Sequence, residues 1–218
     1  VGIRGDKSSN NGDVNKLYYY PKANMAINLQ NFDFWPKGSM LNLLKLRVAY
    51  GESGNFARFG AKSTIMTSTI VNGTAGVNVP GLLGNADVGP ERQKELEFGF
   101  DVGITKHIGL DVSHYIKSVE DLLLNADLPT SSGFGERVTN AAELENRGWE
   151  VGLNLAIINT SNLRWDARFG WWKNTAKVTR LDVPAFTSGG FADFLGNFMI
   201  KEGYSPTTII GVGDKPNV

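Results

Sequence analysis

The chain has 218 residues with 22 basic and 22 acidic side chains, so no global charge points to nucleic acid or an acidic partner. It has no cysteine, which excludes a disulfide scaffold, thiolate metal sites and a cysteine nucleophile within these residues. No apolar run approaches the ~20 residues of a membrane-spanning helix, yet a barrel strand needs only ~9–11 residues of alternating pattern, and 26 glycines with 11% aromatic residues lean towards β-structure.

The opening VGIRGD resembles neither a signal peptide nor a helix start and reads as a processed chain or an internal fragment. The first predicted strand, YYPKANMAINLQ, sets Tyr19, Ala23, Met25, Ile27 and Leu29 against Asn24, Ala26, Asn28 and Gln30. After the link QNFDFWPKGSMLN, the strand LLKLRVAYGE sets Leu44, Leu46, Val48 and Tyr50 against Lys45, Arg47, Ala49 and Gly51. A long link from about Glu52 to Gly89 leads to PERQKELEFGFDVGI. Here Leu96, Phe98, Phe100, Val102 and Ile104 alternate with Glu97, Gly99, Asp101 and Gly103. Only TKH separates this strand from IGLDVSHYIK, with Ile108, Leu110 and Val112 on one face and Gly109, Asp111 and Ser113 on the other.

A second long link, about Ser118 to Arg147, precedes GWEVGLNLAI, with Trp149, Val151, Leu153, Leu155 and Ile157 opposite Glu150, Gly152, Asn154 and Ala156. The turn INTSN then leads into LRWDARFGWWK, with Leu163, Trp165, Ala167, Phe169 and Trp171 opposite Arg164, Asp166, Arg168 and Gly170. A third long link runs from about Asn174 to the Tyr204 region. The fold class is therefore all-β and antiparallel.

Short and long links alternate, and loops this long are uncommon in compact soluble domains. A transmembrane β-barrel alternates in this way, with short periplasmic turns and longer extracellular loops. Aromatics also gather at strand ends: Tyr18, Tyr19 and Tyr20; Phe32, Phe34 and Trp35; Trp171 and Trp172. Such rings suit the girdles that flank a barrel's apolar band. A soluble sandwich or lectin-like sheet stays open as the alternative, since aromatics are common in any sheet.

Catalytic chemistry is not legible. The two histidines, His107 in a tight turn and His114 near a strand end, read as structural or interfacial. Ser113 and His114 are neighbours on a strand and point to opposite faces, so they make no nucleophile pair. Gly133-Phe134-Gly135 lacks the context of a dinucleotide loop and reads as a mobile loop tip. Asn72-Gly73-Thr74 and Asn159-Thr160-Ser161 match the glycosylation acceptor, a match that would carry no meaning if the sheet is a bacterial outer-membrane barrel. The expectation is no enzyme, no metal and no cofactor.

The segment LKLRVAYGESGN, Leu44–Asn55, resembles the LKLR-x-x-YG-x-x-GN segment of SusC/RagA-type TonB-dependent outer-membrane transporters. PERQKELEFGFDVGI is similar to that family's PE-R-x-x-x-x-E-x-G-x-D strand, and His114–Asn154 resembles its Y-x-K-x-x-x-D-L-L…N-x-G-x-E segment. The likeness covers about Leu44–Leu181, and more weakly runs back to Tyr20 and on to EGYSPTTIIGV. One departure is Ala142, where the family usually carries glycine.

The resemblance implies a 22-stranded barrel around an N-terminal plug. Residues 1–218 are then a portion of the barrel domain, with plug and remaining strands elsewhere. It further implies a bacterial outer-membrane location and a SusD-like surface lipoprotein as lid. Energy would come from TonB–ExbB–ExbD acting on parts outside these residues, the cargo would be oligosaccharide or peptide, and transporter–lid units could pair. A glycan-binding sandwich and a non-energised porin remain the alternatives.

On this reading Glu97, Asp101, Asp111, Glu150, Arg164, Asp166 and Arg168 face the lumen, the last three as a salt-bridge ladder. Phe56, Arg58 and Phe59 on one outer loop, and Phe134, Glu136 and Arg137 on another, are candidates for contact with substrate or lid. Rings can stack on sugars or pack on peptide side chains while charged groups fix orientation. Alternatively these loops pack on each other.

Overall fold

The computed structural model describes residues 1–36, 38–79, 81–191 and 196–211. Lys37 of the first link and Val212 of EGYSPTTIIGV lie outside the described residues. Strands β1 (Gly2–Asp6), β2 (Tyr18–Asn28) and β3 (Leu41–Asn55) are followed by a short hairpin, β4 (Thr67–Val71) and β5 (Thr74–Asn78), and by β6 (Leu82–Leu83). Then come β7 (Glu91–Ile104), β8 (Ile108–Asp127), β9 (Glu136–Asn159) and β10 (Arg164–Leu181). Three further strands, β11 (Phe186–Phe191), β12 (Gly196–Ile200) and β13 (Ile209–Ile210), close the series. The main sheet runs β1-β2-β3-β7-β8-β9-β10, antiparallel throughout, with β6 beside β9 in parallel.

Register carries the alternation across the whole sheet. Leu46, Phe100, Val112, Val151 and Trp171 share one row, and Val48, Phe98, His114 and Trp149 share the next. On the other face, Lys45, Asp101, Asp111, Gly152 and Gly170 are level, as are Arg47, Gly99, Ser113 and Glu150. One face is thus apolar, interrupted by His114 and by Lys173 at the edge of the band, and the reverse face polar.

The tilt can be read from where the apolar band stops. Tyr50, Leu96, Ile116 and Arg147 form one row, so the band reaches this row on β3 but not on β9. On β10 it ends at Trp171, level with Val151, four residues along β9 from Arg147. Four residues of ~3.4 Å against four strand steps of ~4.8 Å give a tilt of ~35°, the tilt of a membrane barrel strand.

The buried core is small and lies elsewhere. Ala57, Ala61, Val88 and Val138 form it, joined by Leu82 and Leu123, at the end of the sheet where the long links gather. Met25, Leu46, Phe98, Trp149, Phe169 and Trp171 are exposed on the apolar face instead. A sandwich would bury that face against a second sheet. The remaining sheets are a three-stranded one of β11–β13 and the two-stranded β4–β5, and neither has the extent to cover it. The sandwich alternative fails on this point.

Several expectations change in detail. The second and third long links are shorter than expected, because β8, β9 and β10 run on past the apolar band. The link after Ser118 contracts to residues 128–135. The link after Glu52 contains a hairpin whose turn, Asn72 (φ 50°) and Gly73 (φ 77°), is the left-handed pair that a two-residue hairpin loop requires. Gly133-Phe134-Gly135 is anchored at one end, where the Gly135 and Glu136 amides donate to the Gly81 carbonyl at 2.7 and 3.1 Å. Only some of the strand-end aromatics join a lipid girdle. Tyr20 is 3% exposed and lies over Gly54, whose missing side chain makes the room, and Trp172 falls on the polar face level with Glu150.

Candidate functional site

The polar face is organised around Arg47. Its Nε donates to Asp101 Oδ1 at 3.1 Å, its Nη2 to Ser113 Oγ at 3.2 Å, and its Nη1 lies 3.4 Å from Glu97 Oε1. Lys45 Nζ adds a contact of 3.6 Å to Asp101. The guanidinium crosses β7 at Gly99, where an added Cβ would sit 2.9 Å from Nη2. The glycine in the Glu97–Asp101 pattern therefore lets one cation span two carboxylates and a hydroxyl. Asp101 and Asp111 stand directly opposite each other, an unfavourable pairing that the two cations on Asp101 relieve. The Asp111 carboxylate lies over Gly152, where any side chain would collide with it.

All seven residues expected to face the lumen lie on this polar face or in its register. Glu97 and Glu150 join Glu95, Ser113, Tyr115 and Lys117 around a cavity of about 270 Å³. Arg164, Asp166 and Arg168 line a larger one of about 540 Å³ with Lys106, His107 and Asn154 at the short-turn end. The ladder there is incomplete: Arg164 Nε bonds Asp166 at 2.6 Å, and Arg168 has no ion pair among the described residues. A β-bulge between Trp165 and Asp166 precedes Arg168.

The histidines have structural partners. His107 Nδ1 donates to the Ala156 carbonyl at 3.0 Å, which holds the turn. His114 Nδ1 donates to the Gly148 carbonyl at 2.8 Å, and its ring packs on Trp149 with centroids 4.4 Å apart. Since a carbonyl only accepts, each Nδ1 carries the proton. Among the described residues, no group of three or more His, Cys, Asp or Glu gathers to hold a metal ion.

At the opposite end the outer segments interlock. Asn10 Nδ2 donates to the Ala57 carbonyl at 3.1 Å, Asn85 Nδ2 to the Val138 carbonyl at 2.9 Å, and Asn140 bridges Gly89 and Asp121. The two candidate contact loops meet: Arg58 lies 3.9 Å from Glu136. Phe59 is 85% exposed, Phe56 and Phe134 are half-buried, and Glu136 and Arg137 begin β9 instead of lying in a loop. Just above the apolar band, Glu52 accepts hydrogen bonds from Tyr50 and Arg92. Burial favours its protonated form, but these bonds and the Arg92 charge outweigh it and hold the carboxyl below its ordinary range.

Sequence reasoning missed Arg47 as an organising residue. Its signal was present in two basic residues, Lys45 and Arg47, facing a strand that alternates carboxylates with glycines.

The TonB-dependent receptor-like β-barrel family model matches residues 1–208. TonB-dependent receptor P39 of Formosa agariphila is 31% identical over 97% of this chain, which covers 20% of that protein. TonB-dependent receptor SusC of Bacteroides thetaiotaomicron is 24% identical over 88% of the chain, again 20% of its own length. The chain thus spans about a fifth of the relatives it matches. Among solved structures, the RagAB peptide importer in its closed-closed state superposes with a TM-score of 0.78 at 21% identity, over 93% of this chain and 22% of that one. An apolar band at barrel tilt, a charged reverse face and these matches lead to one assignment: the chain belongs to the TonB-dependent receptor-like β-barrel family and forms part of the wall of an outer-membrane barrel.

Proposed function

We propose that the full-length protein imports nutrients across the outer membrane, driven by TonB–ExbB–ExbD, and takes up oligosaccharides or peptides beneath a SusD-like lipoprotein lid. The observation that carries this reading is the two-faced sheet: a lipid-type face backed by charged groups suits a wall around a wet, plugged lumen. Residues Glu97, Asp101, Asp111, Glu150, Arg164, Asp166 and Arg168 then line that lumen. Glu97, Asp101, Arg164 and Asp166 are ion-paired structural groups, while Asp111, Glu150 and Arg168, without an ion pair among the described residues, would meet the plug or cargo. The joined segments carrying Phe56, Arg58, Phe59, Phe134, Glu136 and Arg137 form the outer surface on which cargo or lid would bear. Kinship with proteins named SusC and RagAB supports a lid partner.

The test is to solubilise the source envelope in detergent, isolate the full-length protein and identify its companions by mass spectrometry. A surface lipoprotein in equal amount is the expected result. Recovery from the soluble fraction without such a companion would end the proposal. Uptake that persists after the proton gradient is dissipated would instead favour a non-energised porin.

A further inference from the structure

We infer that the outer end of the polar face holds a subsite for one apolar side chain of a peptide cargo, floored by Ala142; this rests on the import reading above. The polar face changes character as it leaves the apolar band. Asn146 is still level with Lys117, but two residues on, Leu144 is level with Val119 and Val178. Asp121, at φ 54°, inserts a bulge that brings Leu122 into line with Ala142 on the same side. The strands β11 and β12 then close over this patch through Phe186 and Ile200. Between the layers lies an apolar cavity of about 150 Å³. Ala142 and Val178 in its wall are 1% and 2% exposed.

Volume and lining select the guest. An apolar cavity of ~150 Å³ stays dry and accepts a guest the size of benzene, which is the size of one leucine or phenylalanine side chain. A sugar unit would bring hydroxyls that lose water on entry and need converging partners in return. The wall offers few: Ser188, and Glu143, whose carboxylate is engaged by Arg180 Nη1 at 2.6 Å. The route for a peptide is present as well. Among the described residues β11 pairs with β12 on one edge only, leaving its other edge free. Phe186 and Ser188, alternate residues of β11, both line the cavity. A peptide extended along that edge would bond through its main chain and present every second side chain to the same side.

Ala142, 1% exposed, contributes a methyl to the floor, and that methyl sets the depth of the cavity.

The experiment uses the full-length protein with its lid in detergent and isothermal titration. Four probes are compared: the heptapeptide Gly-Ser-Gly-Leu-Gly-Ser-Gly, the same peptide with serine or with phenylalanine for leucine, and maltoheptaose. The expected result is binding of the leucine peptide about ten-fold or more tighter than the serine peptide. Ala142→Leu, which fills the cavity, should abolish that preference, and Ala142→Gly should move it towards a central phenylalanine. If Ala142→Leu fails to assemble, Ser188→Trp at the cavity wall gives the same readout. Equal binding of both peptides, or a preference that survives both substitutions, overturns the subsite. Binding of maltoheptaose but neither peptide also overturns it while leaving import intact. Failure of the import reading shows separately, as loss of the lid from the purified complex.

Discussion

The lower and upper halves of this sheet obey different rules. Within the apolar band, Leu96–Ile104 and Ile108–Ile116 keep strict alternation, and register runs unbroken from Leu44 to Tyr50 across to β8. Above it, β8 is bulged at Asp121, β10 breaks register between Val178 and Arg180, and both faces carry packed protein. Where a bilayer meets one face and water the other, every second residue is chosen by solvent. Where loops meet both faces, side-chain fit decides and periodicity lapses.

The strongest way to break the contrast is a charge inside the band. Phe100→Arg places a cation in the central lipid-facing row at a cost of ~2–4 kcal/mol, and outer-membrane levels of the full-length protein should fall sharply. Asp101→Asn, its neighbour on the polar face, loses only partly exposed ion pairs worth ~1 kcal/mol or less, and should assemble at wild-type levels. Equal levels for the two variants would sink the facing assignment.

A lesion in the upper half should stay local. Gly12 donates to the Val88 carbonyl at 2.8 Å, and a side chain there would strike the Ala86 carbonyl. Gly12→Ala therefore costs ~1–3 kcal/mol of loop docking without touching the band. Trypsin should cut at Lys7 or Lys16 in folded, membrane-inserted protein, and resistance equal to wild type would show that the outer segments do not dock as described.

A smaller effect separates the two faces within the band. Gly99→Ala should lower thermal stability in the wild type, because the methyl crowds the Arg47 guanidinium, but do much less in an Arg47→Gln background. Additive losses in this double-mutant cycle would mean that Arg47 does not cross β7 at Gly99.

The smallest effect is a pH dependence above the band. The folded Glu52 carboxyl titrates below its unfolded value, so its contribution is complete above the unfolded pKa and is lost as pH falls through the folded one. The stability difference between wild type and Glu52→Gln should therefore be largest near neutrality and shrink in acid; a difference that grows in acid would reverse the sign.

The same division explains what could be read from the residues alone. The six alternating runs mark strands because the bilayer writes period two into them, and TKH and INTSN mark the turns because the runs stop on either side. Residues 118–127 and 136–147 carry no such pattern, since Leu122, Leu123 and Leu124 in succession pack against protein on both sides of a bulge. β1 is too short, at five residues, to show alternation. The β4–β5 hairpin did carry a signal, Asn72-Gly73 between TSTIV and TAGVN, which was open to a second reading as a glycosylation match. The polar-face residues were legible as a face, but their partners were not: the reach of Arg47 to Glu97, Asp101 and Ser113 depends on strand neighbours separated by fifty or more positions.

The most direct test of the two-faced wall uses single cysteines in a full-length background otherwise free of them, a natural choice since these residues contain none. Phe98→Cys, Phe100→Cys, Val112→Cys and Val151→Cys should carry fluorophores that lipid-phase nitroxides quench. Glu97→Cys, Ser113→Cys and Glu150→Cys should escape that quenching and respond to a water-soluble quencher once the protein is opened in detergent. Alternate quenching along β7, in step with its neighbours β8 and β9, is the predicted result. Uniform quenching along a strand, or the inverse pattern, would contradict the account.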